Sequence, residues 1–240
     1  MGMGIFGAIG GMAAQSAVNA AAETAAREAL KKGKTPDQKK AIDYLYDVDL
    51  GCLSFLKSKP FTSQEYIEYV NRLINSANLY EKAINKIGLD PSQIQEIPPI
   101  VLTSFVFDDD CLIRVDNNVA LSSQYSITWI FFSDSQMYTY KYIFDTTSDN
   151  TWEFTNDFFY GDITCFSTSH ALKEKIKLIP AKGCGCLKGK DEYAKSHYTV
   201  DTLEVIVPGT SYSIALTNST TVEQSIQAAK AMLREKKYMK

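Results

Sequence analysis

The spacing of apolar residues changes once along the chain, from a helical period to a period of two. Between Thr35 and Pro98, apolar side chains recur every three or four residues, which is typical of helices with one buried face. From Ile100 onward, apolar and polar residues alternate, which is typical of strands. The prolines of "IPPI" mark the boundary, because each removes a backbone donor. The pattern therefore predicts an α+β protein with a helical first part.

Two capping motifs open the helices of the first part. "TPDQ" offers Thr35 as an N-cap with a proline at the first helical position, and "TSQE" at Thr62 is a second capping box. Apolar residues follow the second motif on one stripe as far as Ile87. Two long helices joined by a short loop favour an antiparallel pair. We therefore predict a helical hairpin over residues 35–97.

The second part is rich in β-branched and aromatic residues, separated by polar turns such as "SDSQ". In "YSITWIFFS", the residues Tyr125, Ile127, Trp129 and Phe131 share one face, and both Trp129 and Trp152 are predicted as core. The segment "NSTTVEQSIQAAKAMLREKK" predicts a capped, amphipathic C-terminal helix. The predicted strands are Ile100–Phe107, Leu112–Val115, Tyr125–Phe132, Met137–Phe144, Trp152–Phe158, Asp162–Ser167, Lys175–Ile179, Thr199–Val207 and Tyr212–Leu216.

About seven or more antiparallel strands followed by one helix is the plan of a pleckstrin-homology-like barrel, in which the helix plugs an open end. The stretches "YSITWIFFSDSQMYTYKYIFD", "NDFFYGDITCFSTS", "LEVIVPG" and "AKAMLREKK" resemble an uncharacterised group of bacterial pleckstrin-homology-like domain proteins, over about Ser122–Lys237. The resemblance implies such a barrel over residues 98–240, capped by the C-terminal helix. It implies no activity, although domains of this fold in general bind peptides, other proteins or lipid headgroups.

The first 34 residues are rich in glycine and alanine, and no charged side chain occurs before Glu23. Small residues at three- and four-residue spacing let helices approach closely, which favours self-association or packing within the chain. The residues on this small-residue face are Gly4, Gly7, Ala8, Gly11 and Ala14.

A membrane is the alternative partner for the same segment. Ile5, Phe6 and Ile9 would then insert shallowly into a bilayer, and Lys236 and Lys237 of the basic tail would contact anionic lipid. A frayed terminus is the third interpretation.

Charge excludes a general nucleic-acid binder, because the net charge is −3 and the basic surplus of such proteins is missing. Residues 98–220 carry nine basic and fifteen acidic side chains. This acidic balance argues against phosphoinositide binding by the barrel, which needs basic loops.

Candidate chemistry is sparse. Cys184, Cys186 and His197 are weak zinc-ligand candidates, because "CGC" is tighter than the usual CxxC pair and a fourth ligand is missing. The same two cysteines are candidates for a redox response. Cys165 and His170 are the one Cys–His pair close in sequence, but a strand followed by a turn places them poorly for catalysis. We therefore predict no enzyme activity and no cofactor.

These observations predict a non-catalytic interaction or assembly module. It would bind a protein or peptide at the open end of the barrel, or in the groove between a strand and the C-terminal helix. Its small-residue N-terminal helix would form a homo-oligomer or pack within the chain. The odd number of cysteines favours free thiols in the cytoplasm. The alternatives are an effector peripheral to the membrane and a zinc-binding or redox-responsive protein.

Overall fold

The computed structural model describes residues 24–46, 60–90, 98–116, 119–179, 192–217 and 220–238. These residues form an α+β protein with five helices and antiparallel sheets. The helices are α1 (helical over 24–31), α2 (Pro36–Leu45), α3 (Ser63–Ser76), α4 (Leu79–Ile87) and α5 (Thr220–Tyr238). The strands are β1 (Ile100–Val106), β2 (Ile113–Asp116), β3 (Val119–Ser122), β4 (Gln124–Phe132), β5 (Gln136–Asp145), β6 (Thr151–Phe159), β7 (Cys165–Ile179), β8 (Glu192–Val207) and β9 (Thr210–Leu216).

Both predicted capping boxes are confirmed. Before α2, the Gln38 N–H donates to Thr35 Oγ1 at 3.2 Å, and the Thr35 N–H donates to Gln38 Oε1 at 2.9 Å. Before α3, Thr62 and Glu65 make the same reciprocal pair of bonds. Each box satisfies two backbone groups that a helix start would otherwise leave unpaired.

The single helix predicted from Thr62 to Ile87 is wrong, because it consists of two helices. α3 ends at Ser76, and α4 begins at Leu79. Between them Asn78 adopts the left-handed conformation, with φ 46° and ψ 51°. A right-handed helix cannot continue through such a residue, and asparagine is one of the few residues that tolerates it. The helical hairpin of residues 35–97 stays a prediction, since residues 47–59 and 91–97 lie outside the described part.

The described strands form three antiparallel sheets, with the orders β1–β4–β5–β6, β2–β3 and β7–β8–β9. β3 was not predicted. β7 is one continuous strand where the sequence predicted two, and Asp162 lies in a short 3-10 helix, Tyr160–Asp162. β8 begins at Glu192, seven residues before the predicted strand Thr199–Val207.

The described sheets do not close into a barrel. The end of β9 reaches β1 through Thr217, whose backbone N–H and hydroxyl donate to the Thr103 carbonyl oxygen at 2.9 and 2.8 Å. These two bonds join the four-stranded and three-stranded sheets at one corner. Among the described strands, β1 and β9 form no further ladder of backbone hydrogen bonds.

Both faces of the four-stranded sheet are covered at β4, whereas most of β6 is exposed. On one face, Ile130 and Phe132 pack against apolar residues of β8, β9 and α5. On the other face, Ile127 and Phe131 pack against a helical layer built from α2, α3 and α4. Alternation along β4 therefore serves two cores, as expected for a strand with both faces covered.

The two tryptophans differ in burial. Trp129 packs at the margin of the core under the helical layer. Trp152 was predicted as core, but it is 36% exposed on β6. β6 is the last strand of its sheet, so its outer edge pairs with no other described strand.

No helix in the described part of the chain is long and apolar enough to cross a membrane.

Candidate functional site

A groove of about 460 Å³ lies between the start of β7 and the second half of α5. Its walls include six consecutive residues of the chain, from Ile163 to Thr168. Since successive residues of a strand point to opposite faces, a run of this kind means that the groove follows the edge of β7 rather than one face. We call this the β7–α5 groove.

The β7 wall is an open sheet edge. Among the described strands, β7 pairs with β8 alone, with Cys165 opposite Ile206 and Thr168 opposite Leu203. In an antiparallel pair, alternate N–H and C=O groups point away from the partner strand. Along the groove, these outward groups of β7 are therefore available to an added strand.

The wall is held in place at both of its sides. The Tyr160 hydroxyl donates to the Ser133 carbonyl oxygen at 2.6 Å, which fixes the turn before β7. The Thr164 N–H donates to the Ile206 carbonyl oxygen at 2.7 Å. Phe166 packs against the core. The groove is therefore a preformed feature of the sheet.

The α5 wall is apolar at its base and basic at its rim. Leu233 is buried in the core below the groove, with Ile226 and Ala229 on the same helix face. Lys230 and Arg234, four residues apart and so on one side of the helix, line the groove. No acidic side chain is among the described residues that line it, so the groove has a positive rim.

No family model, curated protein or solved structure matches the chain. The geometry and charge of the β7–α5 groove therefore carry the functional argument.

The structure separates Cys165 from His170. The thiol of Cys165 is free and exposed at the groove. Five residues along one strand span about 16 Å, and an odd separation places the two side chains on opposite faces. A nucleophile–base contact is excluded by this placement.

His170 contacts a carboxylate instead. Its Nδ1 lies 2.6 Å from Asp201 Oδ1, beside a small cavity of about 160 Å³. The Ser169 hydroxyl lies 2.6 Å from that of Thr202, its cross-strand neighbour. Because Ser169 and His170 are adjacent on one strand, their side chains point to opposite faces and form no Ser–His pair.

Of the three weak zinc candidates, only His197 is described. It lies in β8 with its Nε2 4.0 Å from Glu174 Oε2. Cys184 and Cys186 fall outside the described residues. Within the described ranges, no three histidine, cysteine or carboxylate side chains are grouped for a metal ion. The zinc and redox interpretations stay predictions.

The N-terminal candidates also lie outside the described residues. They are the small-residue face (Gly4, Gly7, Ala8, Gly11 and Ala14) and the lipid candidates Ile5, Phe6 and Ile9. Lys236 is half-buried in α5, and the side chain of Lys237 is not described. The assignments of all these residues stay predictions.

Sequence reasoning anticipated a groove between a strand and the C-terminal helix, but it named none of the residues in it. The spacing of Lys230 and Arg234 beside the apolar face of α5 was the available signal. The strand wall was not identifiable, because the sequence predicted a break in β7.

Proposed function

We propose that the chain is a non-catalytic interaction module that binds an extended, acidic peptide in the β7–α5 groove. The peptide lies along β7 as an added antiparallel strand, with α5 on its other side. In this proposal the four-stranded sheet, the three-stranded sheet and α5 are the parts of a pleckstrin-homology-like scaffold. The meeting of β1 and Thr217 at one corner, together with the packing of α5 on the core of both sheets, supports that assignment.

The open edge of β7 is the observation that carries the proposal. Strand addition needs a sheet edge with unpaired main-chain groups and room beside it for a second chain. The β7 residues from Cys165 to Thr168 supply the edge, and the cavity of about 460 Å³ supplies the room. Main-chain bonds of this kind give affinity, while side-chain pockets give specificity.

The groove indicates two kinds of ligand side chain. Tyr160, Ile163 and Leu233 form an apolar base that suits an apolar ligand residue. Lys230 and Arg234 at the rim suit a carboxylate or phosphate, since a guanidinium binds both in a bidentate fashion. The proposed ligand therefore combines an apolar anchor with a nearby acidic residue.

A random library of displayed 12-residue peptides tests this function. The full chain is used for selection, and enriched peptides are then synthesised and titrated. We expect enriched sequences with an apolar residue near an acidic one, and slowed amide hydrogen exchange at residues 165–168 on binding. Failure to enrich any peptide, or protection confined to other strands, would contradict the proposal.

A charge-reversal pair provides the control. The double variant Lys230→Glu/Arg234→Glu should lose at least tenfold in affinity for an enriched peptide. Lys32→Glu/Lys39→Glu makes the same change of net charge at two exposed lysines of the helical part and should bind as the wild type does. Equal losses in both variants would show that overall charge, not the groove, attracts the peptide.

A further inference from the structure

β6 is an exposed and aromatic edge strand. Among the described strands it pairs with β5 alone. Trp152 is 36% exposed and Phe154 is 48% exposed. The strand "TWEFTNDFF" contains none of the lysines or prolines that commonly protect a sheet edge from pairing with another chain.

The two aromatic side chains stand on one face of the sheet. Trp152 lies opposite Ile143 of β5, and Phe154 lies opposite Lys141. Phe158 continues the same face, but it is buried in the core. The second sheet and α5 thus cover the Phe158 end of this face and leave the Trp152 end open.

We infer that β6 pairs with β6 of a second copy of this chain, in an antiparallel register centred on Phe154. A two-fold axis perpendicular to the sheet joins the two edges and places the same face of both copies on the same side. The two four-stranded sheets then form one continuous eight-stranded sheet. Trp152 and Phe154 of both copies cluster across the axis.

Charge excludes three neighbouring registers of this pairing. A centre at Thr155 places Glu153 directly opposite Asp157, and a centre at either acidic residue places that carboxylate opposite itself. Like charges in directly opposed positions are destabilising. A centre at Phe154 instead places Glu153 opposite Thr155, and Asp157 opposite Thr151. Glu153 is in addition neutralised within its own chain by Lys86, whose Nζ lies 3.3 Å from Glu153 Oε2.

A register centred on Asn156 also avoids opposed acidic residues, but it pairs no exposed aromatic side chain with another. It places Phe154 opposite Phe158, which is already buried in its own core. The register centred on Phe154 instead places the two Phe154 rings side by side and Trp152 opposite Asn156. Aromatic cross-strand pairs stabilise a sheet more than aromatic–amide pairs do.

The buried area predicts a weak dimer. Trp152 and Phe154 together expose roughly 170 Å² per copy, taking about 200 Å² for each whole side chain. Two copies therefore contribute about 340 Å² of aromatic area. Even with the strand backbone added, this falls in the range of transient interfaces rather than of those above about 1,200 Å². The association should therefore depend on concentration.

Sedimentation of the full-length chain between about 1 and 500 µM tests the interface. The wild type should shift from monomer to dimer over this range, and Phe154→Arg should remain a monomer throughout. Val119→Arg introduces the same charge at another exposed apolar residue, on β3, and should dimerise as the wild type does. Circular dichroism checks that each variant is folded, and Trp152→Ser replaces Phe154→Arg if the latter does not fold.

Cysteine cross-linking tests the register. Under mild oxidation, Phe154→Cys should link to itself. A mixture of the Trp152→Cys and Asn156→Cys variants should also form a cross-linked dimer. Either variant alone should cross-link no more than the wild-type chain does. The wild type measures the background from the five native cysteines. A wild type that stays monomeric at 500 µM, a dimer that survives Phe154→Arg, or a different linking pattern would each overturn the inference.

Discussion

The Tyr66 hydroxyl on α3 donates to the carbonyl oxygen of Ser122 at the end of β3, at a distance of 2.7 Å. The same hydroxyl lies 2.8 Å from Thr146 Oγ1, in the turn after β5. Thr146 is bonded in turn to the Ser123 carbonyl oxygen through both its N–H and its hydroxyl. A buried chain of hydrogen bonds thus fixes the helical layer to the sheet beneath it.

Tyr66→Phe should lower the free energy of unfolding by about 1–2 kcal/mol. The variant keeps the ring, which stacks on Tyr44 at a centroid distance of 5.0 Å, but it leaves the buried Ser122 carbonyl without this donor. An unsatisfied buried group costs about 1–3 kcal/mol. Urea unfolding followed by circular dichroism measures the change.

The exposed Tyr80 provides the matched control for Tyr66. Tyr80→Phe should change stability by no more than about 0.5 kcal/mol. We also expect the helical and sheet signals of the Tyr66→Phe variant to be lost in one transition, because the two layers share a core. Separate transitions in this variant, where the wild type shows one, would mean that the shared core alone does not couple the two layers.

Stability should fall steeply above pH 10. Burial raises the pKa of Tyr69 to about 12, and burial also raises the pKa of Tyr66. Between pH 10 and 12 the unfolded chain loses these protons while the folded chain keeps them. The stabilisation is therefore complete below pH 10 and is lost as the pH rises toward the folded value, by about 1.4 kcal/mol per pH unit for each tyrosine.

Urea unfolding at pH 8, 9, 10, 11 and 12 measures this dependence. Tyr69→Phe should flatten the fall above pH 10, because one raised pKa is removed. The Tyr80→Phe variant again serves for comparison. An equal flattening in both variants would contradict the assignment to Tyr69.

The sequence predicted those elements that depend on local signals. The capping residues Thr35 and Thr62 act within one helical turn, so their effect is visible in four consecutive letters. The alternation of side chains along β4 was also predictable, because neighbouring residues of a strand point to opposite faces and here pack into different cores. These features need no knowledge of distant contacts.

The features that the sequence did not predict depend on the pairing of strands that are distant in the chain. β7 and β8 pair over their whole length, so the polar stretch around Ser169 is held in a strand by its partner. Trp152 is exposed because it lies on an edge strand, at the end of a face that the second sheet and α5 cover only near Phe158, and composition does not reveal this. The β7–α5 groove depends on the same topology, since its strand wall is an edge only when the sheet order is known.

Asn78→Ala should destabilise the chain by about 1–2 kcal/mol. Asparagine tolerates the left-handed conformation of Asn78 because its short polar side chain bonds locally, whereas alanine has the same steric cost without that compensation. The variant also loses the bond from Asn78 Nδ2 to Glu81 Oε2 at the start of α4. Thermal unfolding measures the change.

Asn78→Gly separates these two losses. Glycine adopts the left-handed conformation freely, so this variant should lose only the contribution of the side-chain bond. An Asn78→Ala variant that is more stable than the wild type would contradict the interruption between α3 and α4. It would mean that the two helices merge into the single helix favoured by the sequence.

Thr128→Val should stabilise the protein by about 1 kcal/mol. Thr128 is fully buried in β4, and its hydroxyl has no hydrogen-bond partner within the described residues. Burial of an unpaired hydroxyl costs roughly 1–3 kcal/mol, and valine has nearly the same shape without the polar atom.

Thr146→Val makes the same chemical change where the hydroxyl is bonded. Thr146 is also fully buried, but its Oγ1 donates to the Ser123 carbonyl oxygen at 2.9 Å and contacts the Tyr66 hydroxyl. We expect this variant to lose about 1–3 kcal/mol, so the two substitutions should have opposite signs in urea unfolding. A loss of stability in both would mean that the Thr128 hydroxyl has a partner, such as a bound water, in the folded protein.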